Sequence, residues 1–121
     1  MGDARHRIGA SGERHAADHY LRLGYRLIAT NARTRHGELD IIACRGSLLV
    51  IAEVRTRVEG RGDPVDSFDE RKRRQVRRMA AQWLSANRCP AGIGSFRIDA
   101  VAVVVDRSGE LRSLRVLEGA L

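Results

Sequence analysis

Asp40, Glu53 and Arg55 are the residues of this chain whose types and spacing best suit chemistry. Asp40 falls between Leu39 and Ile41-Ile42, and Glu53 and Arg55 end the apolar run Leu48-Leu49-Val50-Ile51-Ala52. A carboxylate in a buried strand costs several kcal/mol unless it is paired or holds a metal. Two such carboxylates within reach of each other can hold Mg2+ or Mn2+ through oxygen. A metal so held lowers the pKa of bound water and offsets charge on a phosphoryl transition state. A neighbouring cation adds to that stabilisation. Asp, then Glu-x-cation on a strand, therefore fits phosphodiester hydrolysis; a structural ion-pair cluster is the alternative use of the same residues.

Two strands must position this group. Arg45-Gly46 reads as a two-residue hairpin loop, glycine supplying the positive φ. That register sets Cys44 opposite Ser47, Asp40 opposite Ile51 and Glu38 opposite Glu53. Glu38, Asp40, Glu53 and Arg55 then leave one face near one end of the hairpin. A one-residue change in loop length would turn Asp40 away from Glu53.

The flanking segments supply the rest of a single domain over residues 9–121, residues 1–8 reading as a loose polar tail. Ser11 can cap a helix running to about Leu23, stopped by Gly24. Glu13 in its first turn reads most simply as an acid complementing the helix dipole. Tyr25 to Ala29 is a short strand, and the basic loop through Arg33 and Arg35 leads into the hairpin. The glycines and proline between Gly60 and Pro64 mark a loop. Ser67 and Glu70 form a capping box for a helix from about Phe68 to Asn87. Its stripe Val76, Met79, Ala80, Trp83, Leu84 faces the sheet. Its first half carries Arg71, Lys72, Arg74 and Arg78, which, with Arg33 and Arg35, are the candidate phosphate contacts. Phe96 to Val105 is β-prone, Asp99 early in it pairing structurally with Arg97, and Leu111 to Leu117 is a last, edge strand. The expected fold is α/β: a mixed sheet of about five strands packed with two main helices.

Composition narrows the partner. The 121 residues carry a formal charge of +7, which points to a polyanion such as nucleic acid. Aromatic residues are only 4%, so base-stacking platforms for single strands are not expected. Lys72 is the only lysine; the other 21 basic residues are arginines. Cys44 and Cys89 make neither a metal-ligand pair nor a disulfide framework and are expected to be reduced thiols in a cytoplasmic protein. No apolar run has the length of a membrane span, and no signal peptide is visible.

Gly12-Glu13, Ala17, Tyr20-Leu21, Gly24-Tyr25, Asn31-x-Arg33, Gly37-Glu38-Leu39-Asp40, Glu53-Val54-Arg55-Thr56-Arg57, Lys72 and Arg97-x-Asp99 occur in that order. Together they resemble the bacterial UPF0102 (YraN-like) family. That family is similar to Holliday-junction resolvases of the PD-(D/E)xK, restriction-endonuclease-like superfamily. The resemblance implies a nuclease core acting on branched DNA, with Asp40 and Glu53 as ligands of Mg2+ or Mn2+ and the Val54 carbonyl as a further ligand. It makes Glu13 a further acid of the site and a homodimer the expected assembly. Family members usually have lysine where this chain has Arg55, and arginine keeps the charge but cannot deprotonate.

Two other readings stay open. The chain can be a nucleic-acid-binding module with a nuclease fold and weak or lost catalysis, as Arg55 suggests. It can also be an assembly protein pairing through its last strand.

Overall fold

The computed structural model describes residues 3–121. Helix α1 (Asp3–Arg22) leads into strands β1 (Arg26–Thr34), β2 (Gly37–Arg45) and β3 (Leu48–Val58). A 3-10 turn (Pro64–Ser67) and helix α2 (Glu70–Ala86) then connect to β4 (Ser95–Val105) and β5 (Leu111–Leu117). The five strands form one sheet in chain order, β3 and β4 running parallel and the other neighbours antiparallel. This is the expected α/β mixed sheet with two helices.

The helices cover opposite faces. On one, Val76, Met79, Ala80 and Trp83 of α2 pack on Leu39, Ile42, Leu49 and Ile51. On the other, Ala16 and Tyr20 of α1 pack on Ile41, Ala43, Val50, Ala52 and Val101. β3 alternates between the two cores, as the two-residue period of a strand requires. Gly12 brings α1 hard against β3: a β-carbon there would collide with the Thr56 side chain.

Several boundaries differ from expectation. Helix α1 begins at Asp3, not Ser11, so most of the expected tail is helical; residues 1–2 lie outside the described residues. Ile8 explains the extension, because it packs at the edge of the α1-side core. Ser11 is buried inside the helix and gives its hydroxyl to the Gly109 carbonyl at 2.6 Å instead of capping. β1 runs on through Arg33, Asn31 taking a left-handed φ of 49° that asparagine tolerates. The cap of α2 is Asp69, whose carboxylate accepts from the Lys72 amide at 2.8 Å, rather than Ser67. Ser67 is held by the preceding turn through the Pro64 carbonyl.

Candidate active site

The β2–β3 ladder ends at the pair Ile41 and Ala52, while β3 continues along β4 to Val58. The two strands therefore part at Asp40. Its Oδ2 accepts the Val54 amide at 2.8 Å, replacing the strand partner that β2 no longer supplies. An aspartate is short and acceptor-only when ionised, which suits this bridging position.

The register corrects the expected hairpin. Arg45 faces Leu48 and Ile42 faces Ile51, so Gly46-Ser47 is the loop and the pairing slides by two residues. A shift of two preserves the faces, and its next step aligns Asp40 with Glu53 rather than with Ile51. Glu38 does not oppose Glu53; it pairs with β1, and its carboxylate lies 3.7 Å from Arg33 on the surface.

Glu53 follows Leu49 and Ile51 onto the α2 side and is only 3% exposed. Lys72 of α2 reaches it, with Nζ 3.4 Å from Oε2. Lys72, expected among the surface phosphate contacts, thus points inward to a carboxylate. Its ammonium also donates to Gln75 at 3.2 Å. The Glu53 carboxyl is pushed up to about 9, first by burial and then by its hydrogen bond and charge contact with Asp40; Lys72 and Arg55 pull the other way. Two neighbouring carboxylates, one of them buried, resist holding two negative charges. Glu53 Oε2 still has no hydrogen-bond partner.

Glu13 approaches from α1 on the other side of the sheet. The helix starts ten residues before it, so it lies far from the terminus and cannot be a dipole-complementing first-turn acid. Its carboxyl is raised by burial and then by Asp40 and Glu38. Asp40 thus feels both other acids, and Glu13, Asp40 and Glu53 gather around the parting of β2 and β3. Arg55 adds a partly buried guanidinium whose Nε has no partner.

An open cleft of about 1390 Å³ runs over Asp40 on the α1 side. Glu13, Val54 and Arg55 line it with Asp40. Further arginines come from α1, from the end of β3 and from the β4–β5 turn. Arg33, Arg35, Arg71, Arg74 and Arg78 do not line it, although all five are exposed. Composition gave the positive charge but not its place, because the cleft arginines are dispersed in sequence. The α1 side was recoverable only with the helix extended to Asp3.

Asp99, by contrast, is structural as expected. It is fully buried and accepts from Arg97 Nε at 2.8 Å, Arg97 Nη2 at 3.0 Å, Tyr20 Oη at 2.8 Å and the Gly119 amide at 2.9 Å. Arg97 Nη2 also bonds Tyr25 Oη at 3.2 Å. A carboxylate so saturated has nothing left to offer a ligand.

Among the described residues no three His, Cys, Asp or Glu side chains form a preformed metal cluster. The Asp40–Glu53 pair nonetheless fits a hard divalent cation: its donors are oxygens, Lys72 and Arg55 only partly offset the repulsion that raises Glu53, and Glu53 Oε2 makes no hydrogen bond.

The model of "Uncharacterised protein family UPF0102" matches residues 12–103. A UPF0102 protein of Moorella thermoacetica is 43% identical, covering 96% of both chains. One of Mycolicibacterium vanbaalenii is 41% identical over 87% of this chain and 86% of its own. One of Pelotomaculum thermopropionicum is 37% identical over 99% of both.

Proposed function

The chain belongs to the UPF0102 family, and on that premise we propose that it is a divalent-metal-dependent endonuclease that hydrolyses phosphodiester bonds of DNA, branched DNA in particular. The observation that carries this reading is the buried Glu53 beside Asp40, its carboxyl pushed up to about 9 and its Oε2 making no hydrogen bond. Asp40 and Glu53 would hold Mg2+ or Mn2+. The Val54 carbonyl is the third candidate oxygen, since a strand residue directs its carbonyl to the same side as its amide. When bound, such an ion supplies counter-charge to the carboxylates and a phosphoryl oxygen, and acidifies water.

The chain's own groups do the rest. Lys72 fixes the Glu53 side chain from α2. Glu13, more basic than an ordinary carboxylate, faces the cleft as a proton acceptor at its carboxylate oxygens. Arg55 supplies a permanent positive charge that orients a phosphate but exchanges no proton. Incubation with branched, flapped and linear DNA in Mg2+ or Mn2+ tests the reading. Cleavage by the wild type that falls at least about a hundredfold in Glu53→Ala supports it. Absence of cleavage by the wild type, or unchanged cleavage in the variant, contradicts it.

The partnerless guanidinium of Arg55 favours a second reading: a DNA-binding module on a nuclease fold without catalysis. Salt-sensitive DNA binding with no cleavage and no metal effect selects it. Among the described residues no helix is long and apolar enough to cross a membrane.

A further inference from the structure

The cleft on the α1 side gathers seven arginines against two carboxylates, Glu13 and Asp40. Arg5, Arg7 and Arg14 of α1 form one wall. Arg61 beyond β3 stands opposite and Arg107 on the β4–β5 turn closes one end, while Arg55 and Arg57 border the cleft from β3, on the strand face they share with Glu53. None of the seven makes an ion pair among the described residues, and neither do Arg71, Arg74 and Arg78 of α2; what sets the seven apart is that they converge on one concave surface. Cations that repel one another are brought together here and left uncompensated.

The walls are tied to each other. Ser11 Oγ donates to the Gly109 carbonyl at 2.6 Å, and His15 Nε2 lies 2.9 Å from the same oxygen, fastening the β4–β5 turn to α1. The Asp106 carboxylate accepts from the Ser108 and Glu110 amides at 2.8 and 3.0 Å, fixing the turn that presents Arg107. Gly12 against Thr56 fastens α1 to β3. No tryptophan, tyrosine or phenylalanine lines the cleft, so it lacks the stacking surface that unpaired bases need.

We propose that this cleft is the track for the phosphate backbone of duplex DNA, and that the exposed arginine face of α2 is not. The inference rests on the nucleic-acid reading above and adds where the duplex lies: along α1 and the β4–β5 turn, with Asp40 beneath it. Backbone contacts of this kind give affinity and register without reading sequence.

The test compares Arg14→Ala/Arg61→Ala/Arg107→Ala with Arg71→Ala/Arg74→Ala/Arg78→Ala, all six residues being exposed and circular dichroism confirming the fold. Binding of a short DNA duplex and of the matching single strand is measured without metal, between about 50 and 200 mM salt. The wild type should prefer the duplex. The cleft variant should bind it at least about tenfold more weakly, with a salt slope reduced by about 2 to 3. The α2 variant should change by less than about threefold. A wild type that binds duplex while the α2 variant suffers the larger loss, or the cleft variant none, overturns this placement alone. Preference for the single strand overturns the duplex assignment. No binding of either overturns the placement together with the nucleic-acid reading.

Discussion

The Val54 amide donates to Asp40 Oδ2 at 2.8 Å where the backbone ladder between β2 and β3 has just ended. One side chain thereby closes an opening in the sheet and stays beside the neighbouring Glu53. The opening is what lets groups from α1, from the strands and from α2 meet. Glu13 arrives from one face and Lys72 from the other.

The pH dependence of stability follows from Glu53. Its carboxyl is raised from 4.5 to about 9, so between those values the folded state binds a proton that the unfolded chain releases. Stability from this source is complete below about pH 4.5 and declines as pH rises through the window toward 9. Thermal melts of wild type and Glu53→Gln across that range should diverge, the wild type losing ground steadily with pH. Curves that stay parallel would show that the carboxylate pair is not strained.

Mg2+ should oppose that decline. Bound between two ionised carboxylates it stabilises the folded state by mass action. Melting should shift upward with Mg2+ near pH 9 and hardly at all near pH 5 in the wild type, and at neither pH in Glu53→Gln. An equal shift in both proteins would place any Mg2+ elsewhere.

The Asp99 network is a stability device and should behave as one. Tyr20→Phe removes a donor from a carboxylate that is fully buried, at a cost of about 1–3 kcal/mol. Arg97→Ala leaves that charge without its cation, at about 3–5 kcal/mol. Urea denaturation measures both. Neither change should abolish metal binding at Asp40; if Tyr20→Phe did so, Asp99 would belong to the site.

Much of this was legible in the sequence. The apolar runs and turn signals give the strands in chain order, the last strand and the stripe of α2, because burial imposes its period directly on residue type. Asp40 and Glu53 betray themselves as charges in strands that should hold none. What escaped are relationships between segments. A two-residue slide of the hairpin keeps every side chain on its face, so patterning cannot detect it. The inward turn of Lys72 and the convergence of dispersed arginines exist only once both helices are docked.

Gly12 marks the tightest of those dockings. Gly12→Ala drives a methyl into Thr56, and overpacking of this kind costs about 1–3 kcal/mol. Because α1 carries Glu13 and one wall of the cleft, the variant should also weaken cleavage and duplex binding. Unchanged melting and unchanged activity together would show that α1 sits farther from β3.

Lys72 is ion-paired with Glu53 while Arg55 Nε makes no hydrogen bond, so on the proposed reading the two would share the work of one cation. Lys72→Ala leaves Glu53 without its ion pair and should cut cleavage by at least about tenfold. Arg55→Lys preserves the charge and should leave cleavage unchanged or raise it. A collapse of activity in Arg55→Lys would mean that the guanidinium's fixed fork holds the phosphate.

Calorimetric titration of Mn2+ into wild type, Asp40→Asn and Glu53→Gln tests the central claim most directly, since it needs no substrate. A carboxylate-pair site predicts saturable binding in the wild type, weakened at least about tenfold in each variant. Equal binding in all three proteins, or none in the wild type, would contradict a metal centre at Asp40 and Glu53.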